Sequence, residues 1–398
     1  MLSLLRIINK NMEPLKVGVI GLGLIGKQHV ESIGRIPGIR LTAFTEINPD
    51  LLEQQRLFLS VNAYSDYKYM RDTFLGKPTD RPVMFEAGVH DSLTEYFAGG
   101  HYKKGDWINN MMWSHKGAGY DCIKTSPRSA FHFPRNEFHR TEGSKSISWN
   151  DNPIITGWKE LEGYPWPWPH EKPMDVLDEI EKKRIDNMGV VVSGSCGLIE
   201  NAIVLAGYDN LCFKIHDDIA FVEELFNRIG ERVYEFYLLA LQHPATDCIM
   251  MNDDWAFRNQ TFFPPDFMRK YAIPWHKKVA AKAHELGKQA MLHACGNCGE
   301  VWEDIIEIGY DGKHSFEDVI SPVEKEYETY HGRIAILGGI DVDFLCRSTP
   351  EEIEKRCHAM LDRTMTRGGY ALGSGNSIPD YVPAENYLAM INSVKTWG

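Results

Sequence analysis

From about Pro82 to the C-terminus, short apolar runs alternate with longer stretches in which apolar residues recur every three to four positions. The runs are too short for helices and are bounded by glycine, proline or polar clusters, which predicts strands buried on both faces. Eight of them follow in order, at 82–86, 121–124, 189–193, 248–252, 289–293, 312–316, 334–338 and 369–373. The intervening patterns predict helices over 217–242, 265–286, 300–308, 350–365 and 383–395, several opened by proline and two stopped by Gly287 and Gly309. Strand, crossover helix, strand is the pattern of a parallel sheet, and eight such units are what a (β/α)₈ TIM barrel requires.

In a barrel of that kind, chemistry gathers where the strands end, so the residues just past each run are expected to be polar. They are: Glu86 after the first run, Lys124 to Ser126 after the second, Ser193 and Ser195 after the third, and Asn252, Asp253 and Asp254 after the fourth. His293 and Cys295 follow the fifth, His314, Glu317 and Asp318 the sixth, Asp341 the seventh, and Ser374 and Asn376 the eighth. Asp254, Asp318 and Asp341 are expected to act as helix N-caps.

The densest of these strand ends is His293-Ala294-Cys295-Gly296-Asn297-Cys298. Side chains alternate along an extended chain, so His293 and Cys295 share a side, and imidazole with thiolate is a donor pair that zinc prefers. His293, Cys295 and Cys298 are therefore the expected metal or thiol centre. A buried cysteine pair with a backbone-satisfied histidine is the plainer alternative. The segment 126–187, with the aromatic, proline-rich Gly163-Tyr164-Pro165-Trp166-Pro167-Trp168-Pro169, is long for a barrel loop and is expected to be a lid, a subunit contact or a structural flap.

Ahead of the barrel, 16–47 reads as a βαβ unit: a strand at 16–20, the turn Gly21-Leu22-Gly23-Leu24-Ile25-Gly26, a helix, and a strand at 40–45 ending in Glu46. Gly21, Gly23 and Gly26 allow a pyrophosphate to approach a helix N-terminus, and Glu46 is placed to accept from a ribose hydroxyl. With His29 and Ala63-Tyr64-Ser65-Asp66-Tyr67, this stretch resembles the start of the Gfo/Idh/MocA oxidoreductases. The resemblance ends near residue 70, before any second mononucleotide half, so a partial Rossmann unit over 1–70 is expected and a functional NAD site is not.

Composition bounds the partners. The chain has 398 residues, a formal net charge of −12 and 43% hydrophobic residues, which argues against nucleic acid as a partner because a phosphate backbone needs a basic face. No apolar run reaches membrane-spanning length, and the N-terminal Met1-Leu2-Ser3-Leu4-Leu5-Arg6 is too short for a signal segment. The scattered cysteines suit reduced thiols, and a cytoplasmic location is expected.

Several stretches from Phe74 onward resemble the uroporphyrinogen decarboxylase superfamily: Lys77-Pro78-Thr79-Asp80-Arg81-Pro82, Asn252-Asp253-Asp254-Trp255, Pro264-Pro265-Asp266-Phe267, His293-Ala294-Cys295-Gly296-Asn297, Leu337-Gly338-Gly339-Ile340-Asp341 and Gly369 to Gly375. The resemblance implies a barrel domain over 74–398, a homodimer, and either decarboxylation or methyl transfer. Porphyrinogen decarboxylases carry Arg-Gln-Ala-Gly-Arg at the first strand, whereas this chain has Phe85-Glu86-Ala87-Gly88-Val89 and lacks both guanidinium groups that would hold a poly-acid. The methylcobamide:thiol methyltransferase branch holds zinc with His-x-Cys on strand five, matched by His293 and Cys295, and with a strand-eight cysteine, which Gly373-Ser374-Gly375-Asn376 does not supply.

The expectation is thus an enzyme that transfers methyl groups to a thiol, with a small-molecule substrate, zinc as cofactor and a corrinoid protein as partner. In it Asp253 is a general acid or base, His314 and Asn376 position substrate, and Cys298, Glu317 or His314 completes the metal site. A decarboxylase or lyase, with Asp253 or Glu86 protonating a carbanion, is the second expectation. A nucleotide-binding module or NAD-dependent oxidoreductase acting through the N-terminal segment is the third.

Overall fold

A computed structural model describes residues 15–20, 39–45, 66–126, 131–136, 150, 152–172, 174–185, 187–194 and 197–397. Strands β1 (Leu15–Ile20) and β2 (Ile39–Thr45) pair in parallel, with a register shift between Val17 and Gly18. Gly21, Gly23, Gly26 and Glu46 lie outside the described residues, as does the helix expected between the strands.

The main sheet has seven parallel strands in chain order: β3 (Cys122–Thr125), β4 (Gly189–Ser193), β5 (Cys248–Asn252), β6 (Gln289–His293), β7 (Gly312–His314), β8 (Ala335–Leu337) and β9 (Tyr370–Ala371). The expected first run, 82–86, is not a full strand. It joins β9's continuation through a bridge between Met84 and Leu372, with Phe85 N–H donating to Leu372 O at 2.9 Å and Leu372 N–H donating to Val83 O at 2.8 Å.

Side chains on one face of these strands form a single apolar cluster. Phe85, Cys122, Val191, Met250, Met291, Leu337 and Ala371 all belong to it, so the sheet curls until its first and last members share one interior. Met70 and Phe74, on helix α1 (Tyr67–Phe74), fill the same interior. The other face packs under helices that include α2 (Trp107–Ala118), α3 (Leu198–Ala206), α4 (Ile219–Gln242), α5 (Ile273–Glu285), α6 (Trp302–Ile308), α7 (Val323–Tyr330), α8 (Pro350–Thr364) and α9 (Ala384–Thr396).

Two element boundaries differ from expectation for local reasons. The helix expected over 265–286 is two helices, Pro265–Tyr271 and α5, because Pro274 has no N–H to continue the first ladder. β7 stops at His314 because Ser315 takes φ of 86°, outside the strand region. The described part of 126–187 packs onto the helix layer: Phe131 stacks with Phe236 of α4, and the Arg232 guanidinium lies 4.1 Å from the Trp168 ring. Residues 139–158 of this segment have a hairpin-like pattern in the sequence, and most of them lie outside the described residues.

Candidate thiol and metal centre

The site is built by alternation along β5, β6 and β7. Met291 points into the sheet interior, so His293, two residues on, does the same at the strand's end, and Cys295 follows it. Gly296 then turns the chain with φ of +82°, where a Cβ would fall 2.0 Å from Ala256 O. On β5, Met250 points inward and Ile249 and Met251 outward. Asp254 therefore shares the interior side with Met250, and Asp253 shares the outer side with Met251.

The contacts confirm this parity. Asp253 is fully buried and accepts from Ile199 N–H (3.3 Å), Glu200 N–H (3.1 Å), Trp255 Nε1 (3.2 Å) and His276 Nε2 (3.0 Å). It holds the N-terminus of α3 and one imidazole of α5. Only glycine at 197 permits this approach, since a Cβ there would sit 2.1 Å from Asp253 Cβ. The carboxylate that faces His293 and Cys295 is Asp254. Among the described residues, one ligand atom each from Asp254, His293 and Cys295 lies within 4.8 Å of the others. Asp254 Oδ1 also accepts from Cys295 N–H at 2.8 Å. Cys298, Glu317 and His314, the expected third donors, are not in this group, and Cys298 is buried apart from it. Asp254 is not a helix cap, whereas Asp341 is, accepting from Phe344 N–H at 2.9 Å.

The protons of the two histidines follow from their partners. Ser374 O can only accept, so His314 Nε2, 3.3 Å away, carries a proton. Burial pushes His314 down to about 3, helped by Lys313 and Lys124, so the ring is neutral and its Nδ1 is an acceptor. His293 Nδ1, 2.8 Å from it, is then the donor. That leaves the lone pair of His293 on Nε2, which lies 3.6 Å from Cys295 Sγ. Burial likewise drives His293 well below the usual histidine range. A neutral imidazole whose far nitrogen is fixed by a second residue is how a metal-binding histidine is oriented.

Cys295 Sγ is also approached by Ser315 Oγ at 3.3 Å and by Asn376 Nδ2 at 3.4 Å. Burial, then the Asp254 charge, pushes its thiol up, and burial pushes the Asp254 carboxyl up as well. A divalent cation among these three would reverse both effects. An imidazole lone pair, a sulfur and a carboxylate are donors that zinc accepts, and three protein ligands leave the open fourth position of a catalytic site.

Glu86 stands behind this centre. It is on the outer side of its run, 2% exposed, and reaches the cluster through Ser374, whose Oγ lies 2.8 Å from Glu86 Oε1 and 2.7 Å from Asn376 O. Ser374 has one hydroxyl proton. Both contacts are hydrogen bonds only if Glu86 is protonated and donates, with Ser374 donating onward to Asn376 O. Burial raises Glu86 to about 8, in agreement, against the N–H groups of Ser374, Ala87 and Gly88 that favour its anion.

The uroporphyrinogen decarboxylase (URO-D) family model matches residues 174–397, more than half of the chain and all of β4 to β9. The chain belongs to the uroporphyrinogen decarboxylase family. It is similar to the methylcobamide:CoM methyltransferases MtbA of Methanosarcina acetivorans (26% identical over 162 residues) and Methanosarcina mazei (27% over 167 residues). Each match covers 40% of this chain and 45% of the relative, so less than half of either curated protein is spanned. A solved methyltransferase from Methanosarcina mazei has the same fold, with a TM-score of 0.64 over 84% of this chain and 99% of that one at 17% identity. Among the described residues no helix is long and apolar enough to cross a membrane.

Proposed function

We propose that this URO-D family member is an enzyme that transfers a methyl group to a thiol at a zinc site formed by Asp254, His293 and Cys295. The observation that carries the reading is the convergence of those three donors within 4.8 Å at the ends of adjacent strands. The similarity to methylcobamide:CoM methyltransferases supports it, as does the neutral, oriented His293. We further read the curled sheet, with 82–86 as its eighth member, as a closed (β/α)₈ barrel whose mouth is this site.

Zinc, when bound, would lower the pKa of an incoming thiol so that it is a nucleophile at neutral pH. The thiol loses its proton, its sulfur bonds to the methyl carbon, and the bond from that carbon to the donor breaks with the electron pair left on the donor. His314 fixes the His293 ring so that Nε2 faces the centre. Asn376 and Ser315 donate toward Cys295 Sγ and hold it in place. A methylated corrinoid, carried by a partner protein, is the donor class that the relatives' name suggests.

Decarboxylation is the weaker reading. Its natural proton donor would be Glu86, whose protonated carboxyl sits behind Ser374 and is almost wholly enclosed.

The test is elemental analysis of protein purified without chelator, alongside methyl transfer from methylcobalamin to a small thiol. Wild type should hold about one zinc per chain, and Cys295→Ser should lose both zinc and transfer while keeping its circular dichroism. Equal, negligible zinc in both proteins would overturn the metal site.

A further inference from the structure

The segment that follows β9 into the centre is held in two different ways. Ser374 and Gly375 are fixed by backbone bonds: Gly339 N–H donates to Ser374 O at 2.9 Å, Gly375 N–H to Ile340 O at 2.7 Å and Phe316 N–H to Gly375 O at 2.9 Å. The backbone is next tied down at Ile378, whose N–H donates to Gly88 O at 2.8 Å. Asn376 lies in between. Its carbonyl is held by a side chain, the Ser374 hydroxyl at 2.7 Å. Its own amide is oriented by Ser377 N–H, which donates to Oδ1 at 2.8 Å and so turns Nδ2 toward Cys295 Sγ, 3.4 Å away.

The single proton of the Ser374 hydroxyl has two claimants, Asn376 O and Glu86 Oε1, the latter at 2.8 Å. Glu86 decides between them. A protonated carboxyl donates to Ser374 Oγ and leaves the hydroxyl proton for Asn376 O. A carboxylate takes that proton for itself, and Asn376 O loses its donor.

We infer that Glu86 is a positioning residue for the thiol centre: its carboxyl proton directs the Ser374 hydroxyl onto Asn376 O, and Asn376 in turn holds Cys295 Sγ. His314 is outside this relay, because Ser374 O, to which it donates, is pinned by Gly339 whatever the hydroxyl does. The titratable groups near Glu86 on other elements are the phenols of Tyr120, ahead of β3, and Tyr387 of α9, whose oxygens lie 2.6 Å apart. Burial pushes both well above the usual tyrosine range, whereas Glu86 ionises at about 8. The relay is therefore closed at neutral pH and opens as pH rises through about 8. Its consequence for zinc rests on the methyl-transfer reading above; the relay itself does not.

Nuclear magnetic resonance of metal-free protein with isotope-labelled asparagine reads the relay directly, the Asn376 side-chain amide being assigned by its loss in Asn376→Ser. In wild type this signal should shift with a midpoint near pH 8. The Cys295 thiol, pushed up by burial, does not titrate in that range. The shift should be absent in Glu86→Gln, which carries a donor at every pH, and in Ser374→Ala, which keeps Glu86 but has no hydroxyl. Competition with a chelator then reads the centre: between pH 7 and 9 the zinc affinity of wild type relative to Glu86→Gln should fall about tenfold, the size typical of losing a group that orients a ligand. A wild-type amide that ignores pH, an equal shift in Glu86→Gln, or the same pH dependence of zinc affinity in both proteins would overturn the inference. The wild-type titration is decisive even where a variant fails to fold. If the amide titrates as expected and no protein holds zinc, the relay stands and the metal reading falls; if zinc depends on Cys295 and the amide does not titrate, the relay falls and the metal reading stands.

Discussion

Replacing Glu86 with Gln should reverse the sign of a stability difference as pH rises. The folded protein raises this carboxyl from 4.5 to about 8 by burial, so between those values the native state keeps a proton that the unfolded chain releases. Folding stability therefore falls as pH climbs from about 4.5 to about 8, and the loss is complete above that. At about 1.36 kcal/mol per unit the full shift corresponds to roughly 5 kcal/mol, well above the roughly 0.5–1.5 kcal/mol of one neutral hydrogen bond. Glutamine cannot ionise, so its variant escapes this loss. It has a cost of its own, because an amide NH₂ in the place of Oε1 meets the Ala87 N–H that now donates there at 3.0 Å, about 1–3 kcal/mol for an unmet buried donor. The variant should thus be the less stable protein near pH 5 and the more stable one near pH 9. Denaturant unfolding of both proteins across that range measures the difference directly. A difference that stays flat from pH 5 to 9 would refute both the protonated Glu86 and the proton count at Ser374.

Three further outcomes follow from the site. His314→Ala should lower zinc affinity by about 10- to 100-fold, read by competition with a chelator, because the ring of His293 loses the group that fixes its tautomer. Asp253→Asn should destabilise the fold by about 3 kcal/mol or more, since its carboxylate holds the α3 N-terminus and His276, and should leave zinc stoichiometry unchanged; loss of zinc at full stability would return Asp253 to the centre. Asp254→Asn should do the reverse, with zinc weakened and thermal stability nearly retained, and a variant that binds zinc as wild type does would remove Asp254 from the ligand set.

Much of the sheet was readable because buried parallel strands are short, apolar and sharply bounded: the expected limits of β4, β5 and β6 match the structure residue for residue. The run at 82–86 is where that signal failed, since its pairing depends on Leu372, nearly three hundred residues away, and no local pattern records it. In the candidate site, the shared side of His293 and Cys295 was legible from strand parity. The same counting applied to β5 would have separated Asp253 from Asp254, but it needs the inward residue of that strand, and Ile249, Met250 and Met251 are equally apolar. Only the packing of Met250 in the interior decides it. Lys313 and Ser315 gave no sequence signal, because one is a lysine in an apolar run and the other owes its place to a left-handed backbone angle.

Asp253 and Asp254 are neighbours, so a single peptide unit anchors α3 on one side and presents a carboxylate to Cys295 on the other. The helix layer and the Cys295 sulfur are consequently linked through one short backbone segment: lifting α3 from the sheet would pull on the neighbour of the residue whose oxygen receives the Cys295 amide. Alkylation of Cys295 would then serve as a local gauge of that helix, accelerating under mild denaturant before the rest of the molecule lets go.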